Sequence, residues 1–482
     1  MKSVLSCVTS GHNIYTINKD KKCMFLTHPL LVPYLADKEQ INIESYYAYK
    51  ASYLKKHGYL DGSGHQYEGV LTAEKVREEL SNLNQLVFEV TDTCNLRCKY
   101  CGYGELYGDF DVRHKKMMDF DSAKQIIDFL QKIWSESKQR FVNKVLFISF
   151  YGGEPLLNMP LIRKVVDYIE SLQIRNRKIQ YSMTTNAMLL DKYMDYLVEK
   201  SFHLLVSLDG DEWSNSYRIT LGGENSFHRN ITNVDLLRQK HSDYFDKYVN
   251  FNAVLHNRNT VEGIYHFIKE RYSKKPRIGS LNTTGIREDK KEEFAKMYRN
   301  KVGDLEQSEN YEVLVDEMFI DVPAYSEVCT FIHQYNGNVY RSYNDLFSKQ
   351  IPCNFIPTGT CLPFGRKMFV TANGKILTCE RIGQQYGLGN IGADGCVDLS
   401  CEEIAKQYNL YYDMFRTQCS TCYRSQSCTE CMFTIDHLEV LDEVRCPGYT
   451  NEDEFIAYVA RNLSFMEERP DAYEKIMEVV LA

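Results

Sequence analysis

The sequence predicts an α/β fold organised around a parallel β-sheet, and two observations support this prediction. Between residues 86 and 284, short apolar segments alternate with longer segments that have the period of α-helices. Polar or glycine-containing motifs directly follow several of the apolar segments. Such alternation is typical of a parallel sheet covered by helices and closed into a barrel or partial barrel. Because the carboxyl ends of these strands meet at one edge, we expect a functional site there.

The central region, residues 83–284, contains the predicted strands and helices of this barrel. The strands are residues 86–91, 145–150, 179–184, 204–208 and 248–255. The helices between or after them are residues 121–134, 160–173, 191–200 and 260–271.

Four further regions flank the central one. Residues 1–82 form a small α+β region: two strands, 13–18 and 22–27, are separated by a polar turn that begins at Lys19, and helices follow at 43–57 and 72–82. Thr72 is a start signal for the second helix. The remaining regions are a charged helical bridge at 285–350, a cysteine-rich region at 351–450, and one or two helices at 451–482.

The composition excludes several classes of protein. The 482 residues are 44% hydrophobic and 25% charged, which is ordinary for a globular chain, and no apolar stretch is long enough to span a bilayer. The N-terminus does not read as a secretory signal, so we expect a cytoplasmic protein without a membrane partner. A net charge of −8 argues against a nucleic-acid partner. Sixteen cysteines in a reducing compartment are better explained as metal or cluster ligands than as a disulfide framework.

Three cysteines after the first central strand form the most specific motif. Cys94, Cys98 and Cys101 have the spacing C-x3-C-x2-C, which can place three thiolates on one iron–sulfur cube and leave one iron without a protein ligand. A zinc knuckle or three buried thiols are the alternatives. Zinc would need a fourth ligand nearby, whereas the next histidine, His114, is thirteen residues beyond the last cysteine.

The triad resembles that of the radical S-adenosylmethionine (SAM) superfamily. After the next strand, Gly152, Gly153 and Glu154 resemble the GGE motif of that family, which holds the SAM amino group; two glycines also let a ligand approach the backbone. The resemblance implies a partial (β/α)6 TIM-like barrel. It further implies that the free iron chelates the amino and carboxylate groups of SAM, and that the reduced cluster cleaves SAM to a 5'-deoxyadenosyl radical.

Further SAM contacts are implied by the same resemblance. Candidates for the ribose hydroxyls or the methionine carboxylate lie at the ends of the next two strands, and Arg218 matches a family arginine that binds the carboxylate. Ordinary capping of strand ends is the alternative for several of them. Ala187 stands where relatives commonly have the glycine of Thr-Asn-Gly. The remaining candidates are Thr185, Asn186, Ser207, Asp209 and, near the adenine, Tyr100.

A second set of cysteines resembles the SPASM extension of radical SAM peptide maturases, which binds two auxiliary iron–sulfur clusters. The resemblance covers residues 86–450, although the gap between Cys428 and Cys431 is one residue shorter than the common pattern. It implies a distal cluster on Cys419, Cys422, Cys428 and Cys446, and a proximal cluster on Cys361, Cys379 and Cys431. Cys353 is a candidate fourth proximal ligand, or that position is open to substrate. Zinc ribbons are the alternative, because C-x2-C pairs fit zinc equally well.

The function implied is a radical SAM peptide maturase that installs a thioether or carbon–carbon crosslink in a ribosomally made peptide. Its cofactors are then SAM and three [4Fe-4S] clusters, and its partners are a precursor peptide with a leader and an electron donor such as flavodoxin or ferredoxin. The layout of residues 1–82 resembles leader-binding domains, with an N-terminal cap on the barrel as the alternative. Competing functions are an anaerobic sulfatase maturase that forms formylglycine and a non-catalytic, metal-containing peptide-binding protein.

Overall fold

The computed structural model describes residues 1–35, 46–62, 66–110, 113–136, 145–172, 174, 177–319, 322–335, 355–392, 395–435, 438 and 444–481. Cys353 lies outside the described residues, as do the start of the predicted helix 43–57 and much of the bridge after residue 335.

The N-terminal region forms a three-stranded antiparallel sheet, β1 (Val4–Val8), β2 (Ile14–Asn18) and β3 (Cys23–Leu26), paired in that order. Two strands were expected, and β1 was missed. The turn after β2 is polar but buried: Lys19 and Asp20 are 5% and 3% exposed and form an ion pair of 2.9 Å. The helices of this region are α1 (Val32–Leu35), α2 (Tyr46–Lys56) and α3 (Ala73–Ser81).

Thr72 caps α3 as predicted, because its side chain accepts a hydrogen bond from the backbone N–H of Lys75.

The central region is a run of six parallel strands in sequential order, which confirms the predicted partial (β/α)6 arrangement. The strands are β4 (Gln85–Thr91), β5 (Val145–Gly152), β6 (Lys178–Thr185), β7 (His203–Ser207), β8 (Val249–Leu255) and β9 (Arg277–Ser280). The covering helices are α4 (Phe120–Glu136), α5 (Met159–Ser171), α6 (Leu190–Glu199), α7 (Phe227–Lys240), α8 (Ser242–Tyr248) and α9 (Val261–Tyr272). Strand β9 was not predicted, since it has four residues and only Ile278 is buried.

The two faces of this sheet differ in chemistry. Leu86, Phe88 and Ile148 are fully buried on one face. On the other face, Gln85 Nε2 donates to Ser149 Oγ at 2.7 Å, and that hydroxyl lies 2.6 Å from the Ser182 hydroxyl of the next strand. Residues on a strand alternate between faces, so one face builds the core and the other carries a polar track across three strands.

Helices α10 (Lys291–Met297), α11 (Lys301–Glu306), α12 (Tyr311–Met318) and α13 (Pro323–Tyr335) make up the described part of the bridge. The cysteine-rich region then extends the central sheet. Strand β10 (Lys367–Val370) pairs in parallel with β4, and β11 (Lys375–Leu377), β12 (Gly389–Ile391) and β13 (Val397–Asp398) follow in antiparallel order. The expected cysteine-rich region and the barrel therefore share one sheet.

Three helices complete the chain: α14 (Cys401–Thr421), α15 (Glu452–Glu468) and α16 (Pro470–Leu481). Helix α15 begins with a capping box between Asn451 and Glu454. In the part of the chain that the structure describes, no helix combines the length and the apolar character needed to cross a membrane.

Candidate active site

The cysteine motif follows β4 and is held by the glycine turn at the end of β5. The backbone N–H of Gly153 donates to the carbonyl of Thr91, and that of Glu154 donates to the carbonyl of Thr93, both at 2.9 Å. A Cβ on Gly152 would lie 2.2 Å from the Thr91 oxygen, and one on Gly153 would lie 2.1 Å from the Thr93 oxygen. No side chain fits at either glycine, so the turn fixes the position of the segment that leads into Cys94.

Replacing Gly153 with alanine is expected to displace this segment, since a contact of 2.1 Å with a backbone oxygen cannot be relieved by rotating a side chain. We expect the variant to lose most of the iron bound at the triad. Iron content and absorbance spectra after reconstitution measure this. Gly222→Ala is the matched control, because its Cβ would meet nothing closer than 3.6 Å. Equal iron content in both variants would contradict the assigned role of the turn.

The other side of the cysteine loop pairs with the segment after β7. The backbone N–H of Arg97 donates to the carbonyl of Ile219 at 2.7 Å, and that of Lys99 donates to the carbonyl of Tyr217 at 3.0 Å. These two bonds flank Cys98 in sequence. The loop is therefore fixed on two sides by backbone hydrogen bonds.

A buried charge network supports the same loop. Arg218 donates to both oxygens of Asp209, from Nε and Nη2, each at 2.9 Å, and the backbone N–H of Val254 donates to Asp209 Oδ1 at 2.9 Å. The Tyr100 hydroxyl, between Cys98 and Cys101 in sequence, also donates to this carboxylate. Burial raises the pKa of Asp209, but the charge of Arg218 and the hydrogen bonds from His256, Arg218 and Tyr100 together outweigh it and lower the pKa to about 2.

Glu154 is the centre of a second buried network. Its carboxylate accepts hydrogen bonds from the Thr185 hydroxyl at 2.7 Å, the backbone N–H of Asn186 at 2.8 Å and the backbone N–H of Leu156 at 3.1 Å. Glu154 is 1% exposed. Burial raises the pKa of Glu154 to about 7, and the three donors oppose that rise. The network joins the end of β5 to the end of β6.

Replacing Glu154 with glutamine is expected to remove a pH-dependent loss of stability. Between its ordinary pKa of 4.5 and the folded value of about 7, the folded chain keeps a proton that the unfolded chain has released. The free energy of unfolding of the wild type therefore falls as pH rises through this window and levels off above it. Glu154→Gln lacks this component. Urea midpoints from circular dichroism between pH 4.5 and 8 measure the difference, and parallel curves for the two proteins would rule it out.

The predicted SAM contacts thus fall into two networks that both contact the cysteine loop. Glu154, Thr185 and Asn186 belong to one network, and Tyr100, Asp209 and Arg218 belong to the other. Ser207 ends β7 between them, and the Asn230 side chain donates to its carbonyl at 3.1 Å and to that of Asn186 at 2.9 Å. Binding of SAM by these residues stays a prediction.

Ala187 adopts a left-handed backbone conformation, which glycine adopts readily. Its φ is 60°, in the left-handed region. The Asn233 side chain donates to its carbonyl at 2.8 Å, and its own N–H donates to the Thr185 hydroxyl at 3.0 Å. The turn therefore forms with alanine at this position.

In the C-terminal region, one cavity is lined by the four predicted distal ligands and by Cys431. They are Cys419, Cys422, Cys428, Cys431 and Cys446. Gln418 holds one wall, because its Oε1 accepts from the backbone N–H of Cys446 at 3.0 Å. Gly359 packs against the opposite loop: a Cβ there would lie 2.0 Å from the Cys428 carbonyl oxygen.

Two of the predicted proximal ligands, Cys361 and Cys431, interact electrostatically with Tyr408. Burial raises the pKa of the Cys431 thiol, and Cys361 adds to the rise. Both thiols also raise the pKa of the buried Tyr408 hydroxyl. Cys379 follows β11 after one residue, Thr378, and the next residue, Glu380, accepts two hydrogen bonds from Lys367 at 2.9 and 3.0 Å. Of the predicted proximal ligands, Cys361 and Cys431 thus interact with each other. Cys353 lies outside the described residues.

The donor chemistry of these cysteines fits iron–sulfur clusters. Burial raises the pKa of Cys94 to about 11 and that of Cys98 to about 12, so both thiols stay protonated unless a metal centre displaces their protons. Backbone N–H groups also point at cysteine sulfurs, as expected around such clusters. At 3.4 Å each, Leu96 donates to Cys94, Arg381 to Cys379 and Thr450 to Cys422.

The described cysteines form no disulfide. Nor do the described Cys, His, Asp and Glu side chains include a group of three placed to hold a single metal ion.

Several residues that build the site were not found from the sequence. Asn95 lies inside the cysteine motif, and its oxygen accepts from Asn186 Nδ2 at 2.7 Å. Asn230 and Asn233 bind the turn after β6 from α7. Two asparagines three residues apart share one face of a helix, so this pair was the available signal. The sequence offered no signal for Asn95, because its spacing from other residues follows no pattern.

Comparison with known proteins finds a family match over most of the barrel. The model of the Radical SAM superfamily matches residues 88–271. The cysteine-type anaerobic sulfatase-maturating enzyme of Clostridium novyi (strain NT) is 26% identical over 198 residues, 40% of this chain and 49% of that enzyme. The radical SAM cyclopropyl synthase TigE of Paramaledivibacter caminithermalis is 27% identical over 327 residues, 66% of this chain and 61% of that enzyme. The chain thus spans less than two thirds of the length of both relatives.

Solved structures share the fold. The structure of anSMEcpe with bound AdoMet aligns with a TM-score of 0.52 at 18% identity, over 83% of this chain and 99% of that chain. The same protein with bound AdoMet and the Kp18Cys peptide aligns with a TM-score of 0.50 at 18% identity, over 82% of this chain and 98% of that chain. Residues 88–271 are a radical SAM domain, and the chain is similar in sequence to anaerobic sulfatase-maturating enzymes.

Proposed function

We propose that the chain is a radical SAM/SPASM maturase that crosslinks a ribosomally made peptide through a thioether or carbon–carbon bond. The observation that carries the proposal is the pairing of two cysteine sites on one continuous sheet. The triad follows β4, and the cysteine-lined cavity belongs to the region that adds β10 beside β4. A SAM site with additional redox sites nearby fits an oxidative modification.

When bound, the cluster at the triad supplies the electron that cleaves SAM to methionine and a 5'-deoxyadenosyl radical. The chain's own residues hold the loop for this chemistry. Gly152 and Gly153 fix its start, and Asp209 fixes Tyr100 near its end. Glu154, Thr185, Asn186, Ser207 and Arg218 are the proposed contacts of SAM.

Crosslinking removes two hydrogens from the peptide. One leaves as an atom and forms deoxyadenosine, and the other leaves as a proton, so one electron must be accepted. Two auxiliary [4Fe-4S] clusters would supply an acceptor for it: Cys419, Cys422, Cys428 and Cys446 would hold a distal cluster, and Cys361, Cys379 and Cys431 a proximal one. Reduced flavodoxin or ferredoxin would supply the electron that cleaves SAM.

A peptide substrate is supported by the relatives. The fold neighbour anSMEcpe has been solved with a bound peptide, and several relatives are named for maturation. Residues 1–82 are proposed to bind the leader. Their three-stranded sheet is attached to α15, where Tyr15 donates to Glu467 at 2.8 Å and the backbone N–H of Ser10 donates to Ser464 at 2.9 Å.

The test is anaerobic incubation of the reconstituted enzyme with SAM, dithionite and a small peptide encoded beside its gene. Loss of two hydrogens, mapped by fragmentation to a joined pair of residues, is expected. Sulfatase maturation is the second candidate, because sulfatase-maturating enzymes recur among the relatives. Oxidation of serine to formylglycine also removes two hydrogens, so a hydrazide probe for the aldehyde separates the two outcomes. Deoxyadenosine without any peptide change would reject the crosslinking assignment for that peptide and direct the test to a sulfatase peptide.

A further inference from the structure

We infer that Asn186 sets the reduction potential of the cluster held by Cys94, Cys98 and Cys101, by donating a hydrogen bond to the Cys94 sulfur. This inference rests on the proposed function only in that the triad holds a cluster. It gives Asn186 a role distinct from a contact to SAM.

The amide nitrogen of Asn186 reaches the cysteine loop. Its Nδ2 lies 2.7 Å from Asn95 Oδ1 and 3.7 Å from Cys94 Sγ. The backbone N–H of Leu96 donates to the same sulfur at 3.4 Å. Two N–H groups therefore converge on the Cys94 sulfur, one from the loop itself and one from the turn after β6.

The surroundings of Asn186 determine which amide atom faces the sulfur. The backbone N–H of Met188 donates to Asn186 Oδ1 at 3.0 Å, and because a backbone N–H can only donate, the oxygen must lie on that side. The backbone is fixed as well: its N–H donates to Glu154, and its carbonyl accepts from Asn230. Asn186 is 7% exposed, so its geometry does not depend on solvent.

A hydrogen bond to a ligand sulfur changes the energy of the two redox states unequally. The reduced cluster carries one more negative charge, and part of that charge resides on the thiolates. An N–H donor stabilises it more than the oxidised cluster and raises the potential. Removing the Asn186 donor should therefore make the cluster harder to reduce. The effect acts through Cys94, so Asn186 is a positioning residue.

The experiment is an anaerobic redox titration of the reconstituted full-length protein, followed by electron paramagnetic resonance. The signal component that Cys94→Ala lacks identifies this cluster among any others. Asn186→Leu removes the donor at similar size. Asn186→Asp keeps an oxygen for the Met188 N–H but replaces the donor by a charged acceptor. We expect the midpoint potential to fall in the order wild type, Asn186→Leu, Asn186→Asp.

Asn233→Leu is the matched control, because Asn233 holds the same turn through the Ala187 carbonyl and is not a donor to Cys94. An unchanged potential in both Asn186 variants would overturn the inference. So would an equal shift in Asn233→Leu, since the cause would then be distortion of the turn. Failure of both Asn186 variants to load iron, with normal loading of Asn233→Leu, would also overturn it and assign Asn186 to loop folding. A wild-type protein that binds no cluster at the triad would instead reject the proposed function.

Discussion

Replacement of Cys94 by alanine is expected to abolish deoxyadenosine formation and peptide modification together. Three thiolates are the minimum that holds a cubane with one open iron, and two do not retain it at this site. Cys94 is also the sulfur on which the N–H groups of Leu96 and Asn186 converge. We expect at least about a thousandfold loss in the rate of deoxyadenosine formation, because the electron for SAM cleavage has no other entry.

The fold and the other cysteine site should be unaffected by this replacement. The cavity lined by the distal cysteines is built from residues 358–449, outside the triad's loop, so the variant should keep the proposed auxiliary clusters and lose only about four iron atoms per chain. Iron and sulfide analysis, together with deoxyadenosine measured by chromatography, provides both readouts. Cys329→Ala is the matched control, since Cys329 lies on α13 outside both cysteine sets. Deoxyadenosine formation by Cys94→Ala would refute the assignment of the triad.

The sequence predicted the barrel strands well, because strands buried in a parallel sheet are short apolar segments, and polar motifs mark where they end. Strand β10 shows where this approach fails. Lys367–Val370 has only four residues, and nothing in its composition reveals that its partner is β4, more than two hundred residues earlier. Pairing between distant strands is determined by the assembled sheet and not by local pattern, so the sequence led us to separate two regions that share one sheet.

The functional motifs show a similar limit. The family resemblance implied Glu154, Asp209 and Arg218 as candidate site residues, and the structure gathers them beside the cysteine loop. It did not identify their partners within the protein. Asp209 and Arg218 were both read as polar groups facing a ligand, yet they bind each other in the buried interior. A motif indicates which positions belong to a site. The direction in which each side chain points depends on neighbours from other strands.

Replacement of Asp209 by asparagine is expected to destabilise the protein by about 3–5 kcal/mol, because it leaves Arg218 buried without a counter-charge. The two side chains are 0% and 8% exposed, so water cannot replace the lost partner. Asparagine keeps the size of the residue but offers only one acceptor where Tyr100, Arg218 and Val254 all donate. Lower urea midpoints by circular dichroism at pH 7 measure the effect.

The pH dependence provides an independent check on this pair. The pKa of Asp209 is lowered from 3.8 to about 2, so its contribution to stability is complete above pH 4 and is lost as pH falls through 2. The difference in stability between wild type and Asp209→Asn should therefore shrink from pH 4 to pH 2. A constant difference would mean that the lost charge is not the cause.

A double-mutant cycle separates an internal ion pair from a direct contact with SAM. If Arg218 stabilises the fold through Asp209, then Asp209→Leu and Arg218→Met should each destabilise strongly, and the double variant should recover part of the loss. If Arg218 acts only on the SAM carboxylate, Arg218→Met should leave the urea midpoint unchanged and weaken SAM binding alone. Glu170→Gln breaks the more exposed pair with Lys200 and should cost no more than about 1 kcal/mol. A large coupling energy at Asp209 and Arg218, beside a small effect at Glu170, would establish that this ion pair holds the loop on which the triad is built.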